Sequence, residues 1–168
     1  MEKLLASMSG KHLKGKVVGR ALSILGNIAF AVVGLWFRFQ YLPSLPLATR
    51  RANAQTIEMI EIITIVMIIA GILGVIYGAF VAYKTFLSYQ TTIKVYDTGV
   101  RGNAVTGGVI GQVQEIDIAF KDIRDANVIN KNGIELLTAY GRYAFYPENY
   151  NGIRDLIVKY INRQQGGS

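Results

Sequence analysis

The groups that do chemistry in most enzymes are scarce in this chain. It has no cysteine and a single histidine, His12, so Ser/His/Asp and Cys/His relays lack their parts. His12 lies between Lys11 and Lys14, a setting that suits lipid headgroups better than a triad. A metal site would have to be all carboxylate. Glu115 and Asp117 share one face of an alternating segment, and Asp122 and Asp125 flank a turn. Such pairs are usually solvated faces and turn formers, because Asp bonds its own backbone. Gly107-Gly108-Val109-Ile110-Gly111 is glycine-rich but lacks the Lys-Ser/Thr that a phosphate-binding loop requires, so it predicts a flexible loop. Glu58 and Glu61 stand one turn apart, where they complement a helix N-terminus. In a ring of subunits they would instead line a cation-attracting vestibule. No catalytic residue, cofactor site or metal site is expected.

What must position these residues follows from composition. Of 168 residues 51% are apolar and 17% charged, which excludes intrinsic disorder. The absence of cysteine excludes a disulfide scaffold. The net charge of +7 is unevenly spread. Residues 1–84 carry nine Lys/Arg against three Glu, while residues 85–168 carry nine against eight acids. The excess coincides with the apolar half, which points to membrane lipid. Nucleic acid would need a basic, aromatic-studded stripe on the other half, and there is none.

Ile62 to Tyr83 contains no Asp, Glu, Lys or Arg. As a helix rising about 1.5 Å per residue it spans ~33 Å, enough for a hydrocarbon core of ~30 Å. Ala21 to Phe37 is a shorter uncharged run. Arg20 snorkels at one end of it, and Trp36, Phe37, Phe39 and Tyr41 form an aromatic belt at the other. A cleaved signal peptide is the rival for this segment, but Ala52-Asn53-Ala54 lies too far beyond the apolar run. The sequence therefore predicts a basic N-terminal arm (1–16) and a two-span hairpin (17–88, spans about 20–41 and 57–83). Lys3, Lys11, Lys14, Lys16 and Arg20 ahead of the first uncharged run, with Lys84, Lys94 and Arg101 after the second, outnumber Arg38, Arg50 and Arg51 in the connection. Both termini are thus expected in the cytoplasm and residues 42–56 outside. Lys11, Lys14, Lys16, Arg20 and Lys84 are the expected contacts to anionic headgroups.

Small residues recur every fourth position in both spans: Gly19, Ser23, Asn27 and Ala31 in the first, Ala70, Gly74, Gly78 and Ala82 in the second. Such stripes let backbones approach closely where lipid offers no hydrophobic force. Asn27 is costly facing lipid, so it should point at the second span or another subunit.

After Lys84 the period changes. Ile93 and Val95 alternate with polar neighbours, as do Ile116, Ile118 and Phe120, which predicts half-buried strands. Gly99, Gly102, Gly107, Gly108 and Gly111 suggest a loop-rich stretch between them. Asn132-Gly133 between apolar runs is a hairpin signal, and Tyr140-Gly141 marks another turn. Ile153, Leu156, Ile157, Tyr160 and Ile161 fall on one helical face, opposite Arg154, Asp155, Lys159 and Arg163. Residues 164–168 are expected to be a flexible tail, with Gly166-Gly167-Ser168 read as a cloning remnant. The fold class is α+β: a transmembrane hairpin, then five to seven antiparallel strands closed by an amphipathic helix.

The run from Ile93 to Gly102 resembles the opening of bacterial pleckstrin-homology-like (PH-like) domains, as does Ile118 to Ala126 with its Asp122-Ile123-Arg124-Asp125 turn. Gly141 to Tyr146, then Asn149 to Ile161, is similar to that family's last strand and closing helix. The resemblance covers roughly residues 90–163, within a domain of 89–163. It implies a small bent barrel or sandwich capped by a helix, often appended to membrane spans, and it implies no reaction. Eukaryotic relatives bind phosphoinositides through a dense basic cluster at the first hairpin. Here only Lys94 and Arg101 stand there, with Asp97 between them. Lys94, Arg101, Lys121 and Arg124 are expected to be solvated surface charges.

The expected function is a non-catalytic adaptor in a bacterial inner membrane. It would present the PH-like domain to the cytoplasm as an accessory subunit, touching lipid and another membrane protein or itself. The alternative is a small oligomeric channel, since a Gly/Ala-rich span feeding a cytoplasmic β-domain also occurs in small mechanosensitive channels, whose β-domain residues 107–115 faintly echo.

Overall fold

A computed structural model describes residues 2–107, 111–129 and 132–165. Most of the glycine-rich loop and the expected terminal remnant thus lie outside the described residues. The chain divides into a β unit, residues 1–17 with 83–168, and a helical unit, residues 18–82.

In the β unit, strands β1 (Leu4–Ser9), β2 (Thr92–Tyr96), β3 (Gly99–Thr106), β4 (Gln112–Ala119), β5 (Ile123–Ile129), β6 (Gly133–Thr138) and β7 (Arg142–Phe145) form one curled antiparallel sheet. Its order is β1-β2-β3-β7-β6-β5, with β4 along the other side of β3. Period-two alternation fixes which side chains turn inward. Ile93, Val95, Val100, Ala104, Ile116, Ile118, Ile134 and Leu136 are buried while Lys94, Glu115 and Asp117 stay exposed. Helix α5 (Tyr150–Gln165) closes the open side. Its Ile153, Ile157 and Ile161 enter the core and Tyr160 stacks on Phe120 at 5.4 Å between ring centroids. Arg154, placed by periodicity on the polar face, is half-buried, and its Nε donates to the Ala126 carbonyl at 3.2 Å.

Two features depart from the sequence reading. Residues 4–9 of the basic arm are a strand, pairing with β2 from Ser9 opposite Thr92 to Leu4 opposite Tyr96. Its burial does not alternate cleanly, and a register shift between Leu4 and Ala6 breaks the period, so no pattern announced it. Residues 99–106, expected as loop, are the central strand β3. Gly102 adopts φ +142°, and a side chain there would run into the Thr92 carbonyl of β2. The glycine marks close backbone approach inside a sheet, not a break in it.

In the helical unit, α1 (Lys14–Trp36) continues through a π-turn at Phe37–Tyr41 into α2 (Leu42–Ser44), and α3 (Leu47–Ala52) leads to α4 (Ala54–Tyr89). Both long helices are apolar and long enough to cross a membrane. In the most apolar stretch of each, 11% of residues are buried, whereas the core helix of a soluble protein is mostly buried. Trp36, Phe37 and Tyr41 pack against one another at 5.1–5.9 Å around the π-turn, and Phe39 stays exposed.

Candidate functional site

The helices α1 and α4 meet along an antiparallel seam. An added Cβ at Gly71 would lie 2.7 Å from the Ala31 Cβ, one at Gly34 3.1 Å from the Thr64 carbonyl, and one at Gly78 3.0 Å from Ile24 Cγ1. Gly74 sits against the Asn27 amide, whose Nδ2 donates to the Ser23 carbonyl at 3.0 Å. Thr64 is buried and its hydroxyl donates to the Glu61 carbonyl at 2.8 Å. Polar side chains thus satisfy themselves on their own helix, as an apolar setting demands. At the connecting end, Arg38 Nη1 pairs with Glu61 Oε2 at 3.3 Å; Glu58 is exposed.

Of the expected packing residues, Asn27, Ala31, Gly74 and Gly78 lie in this seam and Ala82 is half-buried. Ala70 and Ser23 are exposed, and Gly19 has open space where a side chain would be. The reason is geometric. A strict four-residue spacing drifts about 40° per step on a 3.6-residue helix, so it leaves any straight contact line. The seam instead follows Ile57, Glu61, Thr64, Met67/Ile68, Gly71, Gly74 and Gly78, close to a seven-residue repeat. Gly34 and Gly71 escaped the four-residue count for that reason.

Within the β unit, a buried joint at Thr91 links the last turn of α4, the residue after β1 and the residue after β7. Thr91 is 1% exposed. Its hydroxyl donates to the Ser88 carbonyl at 2.8 Å and accepts from the Tyr146 amide at 3.1 Å, and its carbonyl accepts from the Gly10 amide at 2.8 Å. Gly10 leaves no room for a side chain, which would strike the Ser88 carbonyl. Burial pushes the Tyr146 hydroxyl above the ordinary phenol pKa; a hydrogen bond with Ser88 opposes this and the charge of Glu135 adds to it. Tyr83 Oη donates to the Gly111 carbonyl at 3.2 Å.

At the β2–β3 hairpin, Arg101 is engaged by its own chain. Its Nη1 and Nη2 reach the Glu2 carboxylate at 2.7 and 3.0 Å, its Nε reaches Asp117 at 2.8 Å, and it lies 5.0 Å over the Tyr96 ring. The hydrogen bonds to Asp117 and Glu2 hold its guanidinium further above its already high pKa. The Lys3 amide also donates to Asp97, at 3.1 Å. Arg101 was expected to be a solvated charge; it is a knot fastening the N-terminal segment to β2 and β3. Glu2 gave no hint of this, because its partners lie about a hundred positions away.

One member of each carboxylate pair has a structural partner. Asp117 holds Arg101, and Asp125 accepts from the Ala126 amide at 2.8 Å and from Asn127 Nδ2 at 2.9 Å. Among the described residues no three His, Cys, Asp or Glu side chains gather as a metal set would. Lys11, Lys14, Lys16, Arg20 and Lys84 are exposed. His12 and Lys11 border an open cleft of about 540 Å³ with Met8, Ser9, Glu148 and Asn149. No family model matches the chain, and no curated protein matches it.

Proposed function

We propose that the chain is a non-catalytic, membrane-anchored interaction protein. In this reading its PH-like half-barrel is held at the cytoplasmic face of a bacterial inner membrane as an accessory subunit of a larger membrane complex. The observation that carries it is the pairing of β1 with β2. Residues before the first apolar helix and after the second share one sheet, so a membrane crossed by α1 is crossed back by α4. The Lys/Arg excess on the sheet side of both helices favours the cytoplasm for it. Lys11, Lys14, Lys16, Arg20 and Lys84 each add about 1 kcal/mol of attraction when they reach an anionic leaflet.

With Arg101 occupied by Glu2 and Asp117, the first hairpin has little charge to spare for a phosphoinositide, which favours a protein partner for the half-barrel. The channel alternative draws less support, because Gly71, Gly74 and Gly78 face α1 of the same chain and not a pore axis. The test is the mass of the complex extracted gently from its host membrane. One copy travelling with a larger membrane protein is the expected result, and a homogeneous ring of identical chains would sink the adaptor reading.

A further inference from the structure

The cleft between β1 and the start of α5 is lined by opposite charges that nothing in the described chain satisfies. Lys11 and His12 stand on one side of the sequence, one turn ahead of the residue where α1 begins, and Glu148 and Asn149 on the other. Among the described residues, none of Lys11, His12 and Glu148 takes part in an ion pair, although Glu2, Asp117 and Arg101 of the same unit are all engaged. Asn149 is oriented, because its Oδ1 accepts from the Gly152 amide at 3.1 Å. That leaves its Nδ2 as a donor. The Ser9 hydroxyl adds a group able both to donate and to accept.

We infer that this cleft binds a phosphoethanolamine group, with the phosphate on Lys11, His12 and Asn149 Nδ2 and the ammonium on Glu148. A purely anionic ligand would meet Glu148, and a purely cationic one would meet Lys11. A zwitterion matches both, and each contact is a charge-assisted hydrogen bond. A primary ammonium fits better than a quaternary one, because Glu148 and Ser9 are acceptors for N–H groups and no Phe, Tyr or Trp among the described residues lines the cleft to cage a trimethylammonium. About 540 Å³ accommodates the group without closing over it, so acyl chains attached to it have a way out. The same chemistry is offered by phosphatidylethanolamine in the leaflet and by free phosphoethanolamine in solution. The site does not depend on the adaptor role: a lone chain without a protein partner would still bind it.

The test uses the full chain in nanodiscs of phosphatidylcholine with equal minor fractions of phosphatidylethanolamine and phosphatidylglycerol. The lipids retained on release are weighed by native mass spectrometry, and free phosphoethanolamine is titrated calorimetrically alongside. Phosphatidylethanolamine should be retained roughly tenfold over its share, the scale of one charge-assisted contact. Glu148→Gln should shift retention toward phosphatidylglycerol, and Lys11→Gln with His12→Gln should abolish the enrichment. All three side chains are exposed, so the circular dichroism of each variant should match the parent. If E148Q instead removes binding of the free compound while no lipid is enriched, the site stands and its source is soluble. Equal retention of the three lipids with no heat from free phosphoethanolamine overturns the site, as does an enrichment that E148Q leaves intact.

Discussion

Single residues decide how closely the two long helices approach. Gly71 faces the Ala31 Cβ and the Asn27 carbonyl, whereas Gly26 faces open space. Gly71→Leu should therefore lower the thermal stability of the purified protein by an amount in the range of about 1–3 kcal/mol, the usual cost of overpacking. Gly26→Leu should leave it unchanged or slightly higher, since leucine is the better helix former. Equal effects at the two positions would contradict the seam. Tyr146 makes a second residue-scale test. Its pKa is raised in the folded state, so its contribution is complete below the ordinary phenol value and is lost as pH rises through the folded one. Melting temperature should fall above about pH 10, and part of that fall should vanish in Tyr146→Phe. An identical alkaline profile in the variant would show that Tyr146 is not the cause. At this scale the sequence was informative where a residue's cost was intrinsic. Asn27 in an apolar span had to find a partner, and it lies against Gly74. It was silent where the partner was remote, as with Glu2 and Arg101 or Thr91 and Tyr146.

At the scale of elements, the β unit is completed by a strand that precedes both helices. Ala6 of β1 stands opposite Val95 and packs against the core. Ala6→Pro removes a backbone donor and constrains the strand, so β1 should detach. Hydrogen exchange should then quicken along β2 while β5 and β6, across the sheet, keep their protection. Uniform loss of protection would mean that β1 is integral to folding and not an edge. The strands β2 and β4 to β7 were legible because apolar residues alternate in them or turn residues bound them, and α5 because its apolar positions repeat every three or four. β1 was not, since it lies in a basic stretch, shifts register after Leu4 and leaves Leu4 exposed. β3 was misjudged because glycine usually weakens a strand; here the neighbouring carbonyl of Thr92 requires one at position 102. Four-residue counting likewise found half of the helix seam, because the contact line follows a period nearer 3.5.

At the scale of the molecule, the apolar residues gather in two helices long enough to cross a membrane, and the β unit takes its strands from before and after them. The chain's lack of cysteine makes that arrangement directly measurable, because any introduced thiol is the sole one. Lys11→Cys before the hairpin, Thr49→Cys in the connection and Tyr140→Cys in the β6–β7 turn are exposed positions. They would be labelled one at a time with a membrane-impermeant maleimide, on sealed membranes and after permeabilisation. Positions 11 and 140 should share one pattern, protected from outside, and position 49 should show the opposite. Labelling of 11 and 140 from opposite sides, or of all three from the same side, would contradict a hairpin that crosses the membrane and returns to its own sheet.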